Sequence, residues 1–325
     1  MIRLALFALL LSVMLGQPGH AADCAPLKVL ATVKLRHAGR GPLMAVPVHV
    51  DGARVSLLLD TAGALSQLAA AVIHEQQLGV QGSKIRIYDM AGNSAAEETK
   101  VSRLAIGDLE LRDVTMWVLP AHEQDEFRRD FSPRHVMRAQ EGLDGVLAAD
   151  LMANYDVELD FGNDTLKYLS QDHCEGHVIY WNAAASAAVA MQFNNLQISV
   201  PVMLDGHSLV AVLDTGLARS AIALDTARSV YGLEPGAGLQ QGGKLGPTDQ
   251  KIYAVGMHRL SFEGVTVDNP VFDVIPDLIR RQTEGLHESA TLTLPQILLG
   301  MDVLSKLHLY IAFRERKIYL TGSSP

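Results

Sequence analysis

The sequence predicts a mainly β protein made of two homologous halves joined by a linker. Three observations predict it. The chain has 325 residues, a length that suits about two domains. Runs of alternating apolar residues flank Asp-Gly turns, the pattern of β-hairpins. And the chain is written twice: "VPVHVDGARVSLLLDTAG" from Val46 returns as "VPVMLDGHSLVAVLDTGL" from Val200, at an offset of 154 residues without a gap.

The elements follow in order. Residues 1–21 read as a signal peptide, with Arg3 as a short positive region, Leu4–Gly16 as the apolar core and Gly19-His20-Ala21 as the cleavage signal. The apolar run is short for a membrane anchor, the competing reading. Asp23 argues against lipid attachment at Cys24. Residues 22–170 form the first domain, 171–190 the linker and 191–325 the second domain.

Each half opens with a hairpin turning at Asp51-Gly52 or Asp205-Gly206, and its second strand ends on Asp60 or Asp214. A short helix is expected within 66–79 and again within 223–232, where apolar residues recur at helical spacing. A polar, glycine-containing ribbon and paired strands come next, and 101–120 matches 257–276 at an offset of 156. A final element and hairpin, 145–169 in one half and 297–320 in the other, match at an offset of 152, with Asp150 meeting Asp302. The Ala/Ser-rich linker, Ser170 to Ala190, suggests no strand of its own.

The totals exclude several functions. Apolar content of 48% with 19% charged residues fits a globular core and argues against disorder. A net charge of -9 leaves no basic footprint for nucleic acid. After the leader, no uncharged apolar stretch is long enough to span a membrane. Cys24 and Cys174 are the two cysteines, and export favours a disulfide between them, with two free thiols as the alternative. "HCEGH", His173 to His177, lacks the spaced second half of a zinc site, so no metal is expected. A serine hydrolase has no support, because no Gly-Xaa-Ser-Xaa-Gly occurs.

Why an apolar strand, Leu57 to Leu59, should end on a charge is answered by the repeat. Leu59-Asp60-Thr61 and Leu213-Asp214-Thr215, with "ILLGMDVL" from Ile297 and its degraded counterpart "GVLAADLM" from Gly145, resemble the retropepsin-like aspartic proteases in a tandem, exported bacterial form. The resemblance covers nearly the whole mature chain. It implies two β-barrel domains with short helices, related by a pseudo-twofold axis, with Asp60 and Asp214 as a catalytic pair at the domain interface. Two adjacent carboxylates cannot both ionise, so they share one proton, one acting as base and the other as acid. It further implies that Thr61 and Thr215 hydrogen-bond across to the opposite loop, and that Gly216 allows the tight turn beside the carboxylate.

The first half departs from the pattern. Ala62 stands where glycine is usual, followed by Gly63, and Ala148 or Ala149 replaces the glycine of the second element. This favours a competing reading, a catalytically weak double-barrel module that binds a peptide or protein. By resemblance a peptide or protein substrate lies under flaps: Tyr88 and Gly92 belong to the first candidate, Gly242 and Gly243 to its counterpart. The insertions from Ala121 and Asp277 read as substrate-selecting loops or partly helical segments. No cofactor is expected, and the protein is expected to act as an exported monomer, periplasmic or secreted. Gly63 and Leu217 stand where pepsin-like members usually carry a hydroxyl, with Ser66 and Ser220 as alternative donors.

Overall fold

The computed structural model describes residues 24–88, 94–119, 143–244, 251–275 and 295–323. The segment read as a leader, the tip of the first candidate flap with Gly92, and both charged insertions lie outside these residues. The described chain is mainly β, with two β-barrels and three short α-helices.

The first barrel grows from the hairpin Met44–Val50 and Ala53–Leu59. Its turn at Asp51-Gly52 needs left-handed backbone, φ 47° and 94°, which Asp tolerates and Gly takes freely. The Asp51 carboxylate accepts from the amides of Ser102 and Arg103, pinning the turn to the neighbouring strand. Asp205 does the same for His258 and Arg259 in the second half. Gly145–Leu147 pairs in parallel with Leu57 to Leu59 and antiparallel with Gln67 and Leu68. Leu109–Leu119, Ser94–Ile106 and Val80–Tyr88 continue the sheet, and pairing of Met44–Val50 with Ser94–Ile106 closes it. The second barrel repeats this plan around Gln197–Leu204, His207–Leu213 and Ile297–Leu299.

A six-stranded sheet joins the halves. Its order is Val29–Lys34, Thr165–Leu169, Asp156–Asp160, Leu307–Ala312, Lys317–Gly322 and Ala187–Ala190. At its centre Val157 pairs with Ile311 and Leu159 with Leu309, across the two halves. Every residue of Asp156–Asp160 and of Leu307–Ala312 is buried, so this seam is core. Cys24 and Cys174 form a disulfide, Cα–Cα 4.8 Å, beside the sheet. Among the described residues no helix is long and apolar enough to cross a membrane.

Acidic and basic side chains are buried at this seam, and each finds a partner. His173 bonds Asp156 at 2.6 Å through Nε2 and the Cys174 carbonyl at 3.1 Å through Nδ1, which leaves no ring nitrogen free for a metal. Glu158 accepts from Lys167 at 2.8 Å and from the Tyr180 hydroxyl, and lies 3.1 Å from His308 Nε2. Trp181 stacks on the His308 ring at 3.9 Å.

Two local expectations need correction. The linker does contain a strand: Ala187–Ala190 pairs antiparallel with Lys317–Gly322. Alanine has little β preference of its own, but the open sheet edge supplies the hydrogen bonds and Val189 is buried against the core. In the first half the helix is confined to Ala70–Glu75, because Gln67–Ala69 is a strand pairing in parallel with Trp117 to Leu119. The same order, strand Ala221–Ala223 and then helix Leu224–Tyr231, holds in the second half. That helix closes on Gly232 in the left-handed conformation, φ 65°.

Candidate active site

Each barrel delivers one aspartate in the same way. The strand ending at Leu59 pairs with Gly145–Leu147, and the Asp60 amide donates to the Leu147 carbonyl at 3.0 Å. The strand ending at Leu213 pairs with Ile297–Leu299, and the Asp214 amide donates to the Leu299 carbonyl at 2.9 Å. Each aspartate thus leaves the rigid part of its sheet at the point where the two halves meet.

The two loops are locked reciprocally. The Thr61 amide donates to Thr215 Oγ1 at 3.0 Å, and the Thr215 amide to Thr61 Oγ1 at 3.2 Å. Each hydroxyl donates across as well, Thr61 to the Leu213 carbonyl at 2.7 Å and Thr215 to the Leu59 carbonyl at 2.8 Å. Both threonines are fully buried. Four bonds therefore tie together residues that the chain separates by more than 150 positions.

The Asp60 carboxyl lies against the backbone of Gly216. A Cβ on Gly216 would stand 2.8 Å from Asp60 Cγ and 3.0 Å from both oxygens. Neither Ala62 nor Gly216 takes positive φ, so glycine at 216 serves space rather than backbone freedom. For the same reason Ala62 is unstrained. Its methyl packs against Val212, Leu298 and their apolar neighbours in the second half.

The second element also differs between the halves. Gly300 sits so close to the loop before it that a Cβ would meet the Leu217 carbonyl oxygen and the Ser220 amide nitrogen at 2.8 Å. Its counterpart is Ala148, fully buried, and the residue facing it is Gly63, where a Cβ would lie 3.2 Å from the Ala148 methyl. The contacts at Gly300 are to loop backbone, whereas the Ala148 methyl is accommodated beside Gly63; a Cβ on Gly63 would lie nearer still to Asp60 Oδ2, at 2.9 Å, so the glycine at 63 leaves room for the carboxyl as well.

Electrostatics distinguish the two aspartates. Asp214 is 4% exposed, and Asp60 is half-buried. Burial raises the Asp214 pKa well above the carboxylate range and the charge of Asp60 adds to it; the amides of Gly216 and Leu217 oppose the rise. Burial also raises Asp60, opposed by the amides of Gly63 and Ala62, which donate to Oδ1 at 2.8 and 3.0 Å. Ser66 and Ser220 do not serve the pair. The Ser66 hydroxyl donates to Asp150 at 2.6 Å and accepts from the Ala148 amide at 2.9 Å. The Ser220 hydroxyl donates to Asp302 at 2.7 Å and accepts from the Gly300 amide at 3.0 Å. These Ser–Asp ties stiffen the floor under each aspartate loop. Their signal was present in the repeat, where Ser66 aligns with Ser220 and Asp150 with Asp302.

A family profile described as Aspartyl protease matches residues 46–150 and again 200–303. The chain belongs to the aspartyl protease family. No curated protein matches it. Among solved structures, the fold is similar to an aspartic proteinase from Irpex lacteus, with 12% identity, TM-score 0.49, and 92% of this chain and 98% of the other covered. It is also similar to Basic 7S globulin from soybean, with 8% identity, TM-score 0.48, and 92% and 95% coverage. Other residues singled out in this aspartyl protease chain lie on the ribbon strands. Tyr88 ends a strand, paired with Ser94. Gly242 and Gly243 lie at a register shift in the strand Gly238–Lys244, which pairs with Lys251–Gly256.

Proposed function

We propose that this protein is an exported aspartic endopeptidase that hydrolyses peptide bonds through Asp60 and Asp214. The observation that carries the reading is the position of the Asp60 carboxyl against the Gly216 backbone, in loops locked by Thr61 and Thr215. Two backbone amides lower each carboxyl, and Asp60 is the less buried of the two, so it is the ionised member. Asp214 is the more buried and feels the charge of Asp60, so it keeps the shared proton.

In the reaction Asp60 takes a proton from a water molecule between the carboxyls as its oxygen attacks the scissile carbonyl carbon. Asp214 gives its proton to the carbonyl oxygen, and a tetrahedral diol forms. The proton on Asp60 then passes to the amide nitrogen, the C–N bond breaks, and Asp214 recovers a proton from the diol. One chain carries both carboxylates, so the site needs no second copy, in keeping with a monomer. The leader-like pattern at 1–21 and the disulfide support export to an oxidising compartment.

The test is digestion of a random peptide library by the mature protein, with and without Asp214→Asn. Cleavage lost in the variant supports the reading. The competing reading, a binding module, rested on Ala62, and the non-positive φ at that position removes its main physical argument. Peptide binding without hydrolysis would favour it.

A further inference from the structure

Gln67 Oε1 and Trp117 Nε1 are buried polar atoms with no hydrogen-bond partner. An acceptor and a donor left unpaired in one place call for an explanation. The two residues are neighbours across the parallel pairing of Gln67–Ala69 with Leu109–Leu119, Gln67 opposite Trp117. The same row runs on through Val146, which faces Gln67, to Leu58, the residue two before Asp60.

Two members of the row, Trp117 and Val146, stand apart from the barrel core. Side chains alternate along a strand. Leu68, Val118 and Leu147 belong to the main core cluster, and so does Leu58 at the end of the row, whereas Trp117 and Val146 are buried but stand outside it. The repeat shows where the row faces. Its counterpart in the second half is Val212, Leu298, Ala221 and Asp273. Val212, Leu298 and Ala221 form, with Ile252 and Ile275, a separate apolar cluster on which Ala62 and Leu217 of the two aspartate loops pack. That face is therefore the one turned to the aspartate pair, and the two halves flank the pair with different chemistry. The second half offers hydrocarbon from Val212, Leu298 and Ala221, with Asp273 at the end of its row paired to Arg219 at 3.0 Å; the first offers an unpaired acceptor and an unpaired donor.

We propose that Gln67 and Trp117 form a polar specificity subsite, which takes a neutral substrate side chain able to donate and accept at once: Asn, Gln, Ser or Thr. This rests on the reading of the Asp60/Asp214 site as a peptidase cleft. A group bound there donates to Gln67 Oε1 and accepts from the Trp117 N–H. A lysine ammonium would face the Trp117 N–H, and an aliphatic side chain would leave both unpaired. On the opposite side of the scissile bond the second-half cluster takes an aliphatic side chain. A subsite built on unpaired polar groups discriminates strongly against analogues that cannot satisfy them.

The test uses the mature protein and peptides with a reduced, uncleavable –CH₂–NH– bond at the scissile position. Glutamine or its near-isostere norleucine is placed on either side of that bond, and affinity is measured by calorimetry. The expected result is at least about tenfold tighter binding of glutamine on one side only. Gln67→Met should reduce that ratio to near unity, and Trp117→Phe should reduce it as well. Equal affinity of the wild-type protein for both peptides overturns the subsite, whether or not the protein cleaves anything and whether or not the variants fold. A preserved preference in a folded Gln67→Met variant also overturns it. Preference for glutamine without hydrolysis of the matching ordinary peptide upholds the subsite and contradicts the peptidase reading, so the two failures are distinct.

Discussion

The Asp60 carboxyl fills the space that a side chain on Gly216 would occupy: a Cβ there would stand 2.8 Å from Asp60 Cγ. Backbone is therefore the wall against which one catalytic candidate is placed. The expected outcome for Gly216→Ala is a displaced carboxylate and a fall in kcat/KM of about a hundredfold, the usual scale for a misplacement near 1 Å. Stability should fall by about 1–3 kcal/mol from overpacking. Steady-state kinetics and thermal unfolding of the same variant check both. Ala62→Gly should change kcat/KM far less, since Ala62 is already accommodated against the second-half cluster.

The Ser66–Asp150 tie predicts a stability effect away from the reacting atoms. Burial raises Asp150, and the Ser66 hydroxyl and amide oppose that rise. Ser66→Ala removes the hydroxyl's bond to the carboxylate and leaves the Ala148 amide without its partner. The expected loss is about 1–3 kcal/mol in denaturant unfolding. Ser220→Ala should do the same through Asp302 and the Gly300 amide. Unchanged midpoints in both would show that the ties do not matter.

The pair and its scaffold were legible in the sequence because they are repeated. Asp60 and Asp214, Thr61 and Thr215, and Asp51 and Asp205 share one offset, so each identified the other. Turn chemistry and alternating apolar residues gave the hairpins. Features made by distant pairing were not legible. Ala187–Ala190 is a strand only because Lys317–Gly322 offers an open edge. Gln67 and Trp117 share a row through register, which no local pattern reveals. Nor does any local pattern reveal that the Ala148 methyl is accommodated beside Gly63.

The disulfide joins residues 150 positions apart and fixes the N-terminal segment to the linker. His173, next to Cys174, adds a buried pairing with Asp156. Cys24→Ser/Cys174→Ser should lower stability by up to about 4–5 kcal/mol on chain-entropy grounds, and by less if the unfolded chain keeps structure. Denaturant unfolding with and without reductant measures it. A reductant-insensitive midpoint would contradict it.

The pH dependence follows from the two raised carboxyls. Activity needs one proton on the pair, and both pKa values are raised, chiefly by burial. The proton is therefore held to higher pH than at an ordinary carboxylate. The expected profile of kcat/KM is a bell centred at mildly acidic pH. Stability has the matching sign. A raised pKa means that the folded state binds more protons than the unfolded one. This contribution is complete below the ordinary carboxylate pKa and is lost as pH rises through the raised value. Leu217→Ser, which places a hydroxyl beside Asp214, favours the ionised form of the member that keeps the proton and should move the alkaline limb downward. A profile still rising toward about pH 2 to 3 would show that burial does not govern the pair.

The central claim is that Asp60 and Asp214 act as one unit, and the most direct measurement is a double-mutant comparison. The kcat/KM of one good peptide substrate is determined for the wild type, Asp60→Asn, Asp214→Asn and the double variant, each verified as folded by circular dichroism. Groups that act together lose function together rather than additively. The account predicts that each single change lowers kcat/KM by about a thousandfold or more, and that the double change is no worse than either single change. Undiminished hydrolysis by either single variant, or losses that multiply in the double variant, would contradict it.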